Sequence, residues 1–167
     1  MDWRARREAA AAKYRPDQIR LLLVAEAPPA ALDRYFYFED VHVHDSLFRY
    51  VARVVLGLEP SRLNKPPILA ELRAAGVFLI DLCLDPVLNR SDLSRCVAGL
   101  VERAQALRPD HIILIKATVY DTAVAALVHA QLPVIDRRIP FPGSGQQRRF
   151  EEEMRLALEW IGWDSTR

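Results

Sequence analysis

Four positions attract attention because each follows a short apolar run. Glu26 follows Leu21–Ala25, Asp81 follows Val77–Ile80 and Lys116 follows His111–Ile115; the loop Pro140-Phe141-Pro142-Gly143-Ser144-Gly145 comes shortly after Pro133-Val134-Ile135. A carboxylate in such a place can stabilise a developing cation or position a water. A lysine there can hold a phosphate. Two prolines followed by Gly-Ser-Gly give a stiff turn with free backbone N–H groups at a helix start, which is an anion-binding arrangement. Each position also has a plainer use. Glu26 can be a solvated loop residue, although Ala27-Pro28-Pro29 makes it a poor helix cap. Asp81 can cap the turning chain, Lys116 can run past a sheet edge with its amine in water, and the proline loop can be a connecting turn.

These positions share one place only if the runs before them are strands of one sheet. Short continuous apolar runs read as strands buried on both faces, as in a parallel sheet. Between them the spacing predicts helices. The first contains Ala9–Ala12 and ends before Pro16. The next is capped by Asp45, carries Leu47, Phe48, Val51, Val54 and Val55, and stops at Gly57. Others cover Asn64 to Ala75, Ser91 or Asp92 to about Leu107, Thr118 to Gln131, and Gln146 to about Ile161. The alternation predicts an α/β fold: a three-layer domain spanning residues 1–167, with a four-stranded, mostly parallel sheet and helices on both faces. Open sheets of this kind bind ligands at the carboxyl ends of their strands. Glu26, Asp81, Lys116 and the loop at Pro140–Gly145 would then lie along one edge.

Composition sets the outer bounds. The chain has 167 residues, 51% of them hydrophobic, with 23 basic and 22 acidic side chains. That is globular composition and excludes a largely disordered chain. The near-neutral balance excludes a strongly basic wrapper of nucleic acid but not a local basic patch. Arg137, Arg138, Arg148 and Arg149 form such a candidate patch, with Glu151–Glu153 beside it as possible ion-pair partners. Cys83 and Cys96 are too few for a disulfide framework or a four-cysteine metal or iron–sulfur site, and read as small buried hydrophobes. His42 and His44 alternate near Glu39 and Asp40, but no further histidine stands at ligand spacing, so no metal is predicted. Walker A, GxGxxG and GxSxG patterns are absent. No apolar run approaches the length of a membrane span, and the charged amino terminus lacks the apolar stretch of a secretory signal, so a cytoplasmic setting is expected. The consecutive aromatics Tyr35-Phe36-Tyr37-Phe38 exceed what one loop contact needs. At least one anchors the loop in the core, and another can stack on a flat ligand such as a nucleobase.

Val24-Ala25-Glu26-Ala27-Pro28-Pro29 resembles the first signature of the uracil-DNA glycosylase superfamily, which in its thermostable iron–sulfur branch reads Gly-Glu-Ala-Pro-Gly; Glu26 falls on the Glu. Ile139-Pro140-Phe141-Pro142-Gly143-Ser144 resembles the second signature, His-Pro-Ser-Pro-x-Ser, keeping both prolines and the serine. The resemblance runs from about Ile19 to Phe150. Ala25 replaces Gly, Ile139 replaces a His or Asn, Asp81 stands where a base-reading Asn ends a strand, and the cluster-binding cysteines are missing.

The resemblance implies a glycosylase-like fold, DNA (single- or double-stranded) as partner, and hydrolysis of an N-glycosidic bond with no cofactor. It makes Glu26 the catalytic carboxylate, Phe36 or Phe38 the stacking aromatic, and Asp81 the base-edge reader. Lys116, Arg138, Pro140, Pro142, Gly143, Ser144 and Arg149 are the expected contacts to phosphate. An ionised Asp81 accepts hydrogen bonds and cannot donate to a carbonyl oxygen as an Asn amide does. That turns the preference from plain uracil toward a base presenting amino or imino donors. Two other functions fit the same residues: a non-catalytic nucleic-acid-binding protein of this fold, favoured by Ile139, or an enzyme acting on a small nucleotide-like ligand.

Overall fold

A computed structural model describes residues 1–41, 45–61 and 63–167. Its centre is a parallel sheet of β1 (Leu21–Ala25), β2 (Val77–Asp81) and β3 (His111–Leu114), in the order β2-β1-β3. Leu23 lies between Leu79 and Ile113, and Ala25 pairs with Asp81. All five residues of β1 are buried. Successive strand side chains point to opposite faces, so both faces of the central strand are covered, as its unbroken apolar run predicts.

Among the described residues six α-helices surround the sheet. The first, α1 (Trp3–Lys13), is capped by Asp2, which accepts from the Ala5 N–H at 3.1 Å. Asp45 caps α2 (Ser46–Val51) as the sequence predicts, accepting from Leu47 N–H at 3.0 Å. The helix expected to run to Gly57 loosens into a π-helical turn over Ala52–Leu56, where the Trp163 indole donates to the Val55 carbonyl at 3.1 Å. Gly57 then ends it at φ +68°, a conformation that glycine adopts without cost. Next come α3 (Lys65–Ala74), α4 (Val97–Leu107), α5 (Ala117–His129) and α6 (Gln147–Trp160). The start of the helix predicted from Ser91 or Asp92 is instead a 3₁₀ segment, Arg90–Cys96. In α6 the buried residues Phe150, Met154, Ala157 and Leu158 recur at helical spacing and form one face.

Two expectations need correction. The predicted fourth strand appears only as isolated parallel bridges, Ile112 with Val134 and Ile115 with Ile139. The chain leaves the sheet between them: Arg137 N–H turns back to the Ile135 carbonyl at 2.9 Å, and Pro133 has no N–H to give. Cys83 and Cys96 are not separate small hydrophobes but a disulfide, with Cα atoms 5.2 Å apart. The 3₁₀ segment lays Cys96 over the end of β2, within the range a bridge requires.

With β2 at the sheet edge, its outward backbone groups need partners. The aromatic loop supplies one. The Tyr37 hydroxyl accepts from Leu79 N–H at 2.7 Å and donates to the Leu79 carbonyl at 3.0 Å, standing in for a neighbouring strand. Arg103 of α4 donates to the carbonyls of Asp81 at 2.7 Å and Leu82 at 2.8 Å.

Candidate functional site

The parallel register brings the ends of β1, β2 and β3 to one edge. There Leu82 N–H donates to the Ala25 carbonyl at 2.7 Å, Cys83 N–H to the Glu26 carbonyl at 3.0 Å, and Ile115 N–H to the Val24 carbonyl at 2.9 Å. A cavity of 240 Å³ opens at this edge, and its walls include Glu26, Phe36, Asp45, Asp81, Lys116 and Phe141. Glu26, Asp81 and Lys116, predicted from three separate strand ends, thus meet in one place.

Glu26 is half-buried and fully engaged. Lys116 Nζ donates to its Oε1 at 2.9 Å and Thr118 Oγ1 to its Oε2 at 2.6 Å. Thr118 lies in the first turn of α5, so the helix N-terminus adds favourable positive potential. Burial pushes the Glu26 carboxyl up, but the hydrogen bonds from Thr118 and Lys116, with the charges of Lys116 and Arg90, outweigh it and hold the group below its ordinary value. Glu26 is therefore an anion at neutral pH.

Lys116 reaches Glu26 through an unusual backbone, φ 87° and ψ 135°, at the joint between β3 and α5. A lysine there costs about 1–3 kcal/mol of strain. Its N–H is fixed by the Ile139 carbonyl at 2.8 Å. The sequence made Lys116 a phosphate contact; its amine instead lies inside the cavity, paired with Glu26.

Asp81 differs from Glu26 in kind. Its carboxylate has no hydrogen-bond or ion-pair partner among the described residues, while Arg103 holds its backbone carbonyl. One side of Asp81 opens to solvent and protein packs the rest. Burial, then the like charge of Asp45, push its carboxyl up to about 7 against the opposing charges of Arg103 and Arg7. Asp45 was read from sequence only as a helix cap. It performs that task and also lines the cavity. Burial raises its carboxyl, opposed by Lys65 and by the N–H groups of Leu47 and Phe48. Lys65 lies behind this wall, 2% exposed, donating to the Tyr35 carbonyl at 3.3 Å with its amine 4.8 Å from the Phe48 ring centre. Burial pulls Lys65 down to about 8, with Asp45 opposing.

Of the two stacking candidates, Phe36 lines the cavity, locked edge-on against Tyr37 at 5.0 Å and Phe48 at 5.5 Å between ring centres. Phe38 does not. It is buried elsewhere, with the Arg6 guanidinium 4.8 Å from its ring centre. The proline loop contributes Phe141, which is partly exposed and was missed as a site residue; its place between two prolines was the available signal. Pro140 and Pro142 shape that loop without lining the cavity, and Pro142 is buried. The N–H of Gly143 is spent on the Phe141 carbonyl, and Gln146 N–H on the Gly143 carbonyl. Ser144 at φ 51° and Gly145 at φ 82° turn the chain into α6.

Most of the arginine patch is paired. Arg138 grips Asp121 with two hydrogen bonds of 2.8 and 3.0 Å, Arg148 pairs with Glu152 at 2.9 Å, and Arg137 pairs with Glu153. Arg149 is exposed and makes no ion pair among the described residues. His42 and His44 lie outside the described residues. Among the described residues no three acidic, histidine or cysteine side chains are grouped to hold a metal ion, and no helix is long and apolar enough to cross a membrane.

No protein-family model matches the sequence, and no curated protein matches it significantly.

Proposed function

We propose that this chain is a divergent DNA glycosylase-like protein of the uracil-DNA glycosylase superfamily, hydrolysing the N-glycosidic bond of a damaged or deaminated base. The observation that carries the proposal is the meeting of Glu26, Phe36, Asp81 and Lys116 in one strand-end cavity. At 240 Å³ the cavity is smaller than those that take drug-sized ligands, which suits one base ring flipped from the stack better than a whole nucleotide. The fourth strand that this reading requires would fall on residues 133–139, which bridge Ile112 of β3 and Ile115 just past its end.

In this reading the flipped base lies against Phe36 with its edge toward Asp81. As the C1′–N bond breaks, the base leaves with the electron pair and positive charge grows on the sugar. Glu26, held ionised, stabilises that charge or orients the water that adds to C1′, and the proton this water loses passes to the departing base. Lys116 supplies a cation where the leaving base becomes negative. Asp81, without a protein partner, accepts from the amino or imino groups of the base in its ionised form, which prevails above about pH 7. DNA is the expected partner and the cytoplasm the expected location; there a Cys83–Cys96 bridge would be transient.

A second reading, binding without catalysis, is favoured by one specific observation. Ile139 stands where the superfamily signature has a polar group, and it is completely buried, offering nothing to the base. The test is a cleavage screen on oligonucleotides carrying uracil, hypoxanthine or xanthine, with wild type and Glu26→Gln. Alkali-labile sites produced by wild type and not by Glu26→Gln support the glycosylase. Intact substrates with retained binding support the second reading. Free nucleotides that displace the oligonucleotide point to a small nucleotide-like ligand.

A further inference from the structure

Behind Asp81 lies a second, larger cavity of 420 Å³, between α1, the outer edge of β2 and α4. Its floor is apolar, built by Ala11, Phe78, Ile80, Leu84 and Leu107. Its charged lining is unbalanced: Arg4, Arg7, Arg15 and Arg103 against Glu8 and Asp81. Arg103 is committed to backbone carbonyls, and Arg4 pairs with Asp85. Arg7 is different. It is only 8% exposed, and its Nη2 takes both of its bonds, to the Leu84 carbonyl at 3.0 Å and Asp85 Oδ1 at 3.1 Å. Its Nε and Nη1 donors have no partner among the described residues, though the side chain borders the cavity. Both forks of a guanidinium use Nη2, so Arg7 has single charge-assisted bonds from Nη1 or Nε left to offer a carboxylate beside this apolar floor. Arg15, exposed and without an ion pair among the described residues, adds positive charge to the same lining.

We propose that this cavity binds an amphipathic carboxylate, its head on Arg7 and its aliphatic body on the floor between α1 and α4. The lining selects this chemistry. A cation would meet the unpaired charge of Arg15 and the open donors of Arg7, a neutral hydrocarbon would cover those donors without pairing them, and a small anion such as acetate would leave the floor uncovered. The volume falls in the range of ligand pockets. Asp81, Tyr35 and Leu79 line both cavities, so the carboxylate would lie behind the wall of the strand-end site. The assignment does not depend on what the strand-end site does.

Titration calorimetry on the full chain tests it, with octanoate, octylammonium and acetate as probes. The expected result is saturable one-to-one binding of octanoate, weaker by about ten-fold or more for octylammonium and acetate. Arg7→Gln should weaken octanoate by a similar factor. Ala106→Phe, at an exposed position on the cavity wall, should block it by filling the floor. Urea unfolding of each variant checks its fold, and Ala106→Phe decides if Arg7→Gln does not fold. Equal binding of octanoate and octylammonium, no saturable binding, or undiminished octanoate binding in folded Ala106→Phe would overturn the assignment.

Discussion

Replacing Asp81 by Asn should make the protein more stable at alkaline pH and remove a pH dependence that wild type carries. Burial and Asp45 lift the Asp81 carboxyl from an ordinary 3.8 to about 7 in the folded state. Between these values the folded protein holds a proton that the unfolded chain has released. Stability therefore falls as pH rises through that window, and the loss is complete above the folded value. At about 1.4 kcal/mol per unit, the window gives a ceiling of about 3 kcal/mol between roughly pH 4.5 and pH 8. Asp81 keeps an open side, so solvent screening reduces this to about 1.5–3 kcal/mol. Asn has nearly the same shape and no charge to desolvate. Urea unfolding of wild type and Asp81→Asn at the two pH values isolates the effect, because titrating groups that do not face Asp81 cancel in the difference, and Asp45, which does, is counted with it. The advantage of the variant over wild type should grow by that amount from the lower to the higher pH. A constant difference, or one larger at the acidic end, would refute the account of Asp81 as a desolvated, unpartnered carboxylate. Above about pH 7, where wild-type Asp81 is ionised, the same variant should move base preference toward uracil if the glycosylase proposal holds, because the amide can donate to a carbonyl.

Three further outcomes are expected. Tyr37→Phe strands the buried N–H and carbonyl of Leu79 and should cost about 2–4 kcal/mol in chemical unfolding; a cost under about 0.5 kcal/mol would mean that water replaces the hydroxyl. Lys65 is pulled down to about 8, so between there and its ordinary 10.5 the unfolded chain binds the extra proton and stability rises with pH. Wild type should gain on Lys65→Met by up to about 3 kcal/mol across that window, read by urea unfolding at its two ends. If DNA binds over the arginine patch, Arg149→Ala should lower the salt slope of binding by about one, and Arg138→Ala, already neutralised by Asp121, by less; anisotropy titrations at several salt concentrations separate the two.

The parts of the fold legible in the sequence are those written in local pattern. The runs at Leu21, Val77 and His111 became strands because an unbroken apolar run suits a position buried on both faces. Asp45, Gly57 and Pro16 marked helix ends because caps and breakers act within a few residues. Placing Glu26, Asp81 and Lys116 at one edge needed only the parallel order. What escaped depends on contacts far apart in sequence. Pro133 weakens the strand reading beside Val134, but only the Arg137 turn back to Ile135 shows that the segment leaves the sheet after one bridge. Nothing near Cys83 shows that a 3₁₀ turn returns Cys96 to it. The choice between Phe36 and Phe38 turned on Arg6, some thirty residues earlier (about nine helical turns of chain by count). Asp45 was legible as a cap, and its second task was hidden because one carboxylate can serve both.

The capping of the β2 edge bears on how this protein behaves in company. A parallel sheet with an open edge offers a template onto which another chain can add, and a crowded solution tests it constantly. Here the template is occupied by single side chains: one phenol on Leu79, one guanidinium on Asp81 and Leu82. Each is easily lost to one mutation, unlike a covering strand. Loss of Tyr37 or Arg103 would thus show first as self-association under stress, at concentrations where the parent chain stays dispersed. The aromatic loop that helps build the cavity also keeps the molecule from recruiting its own kind.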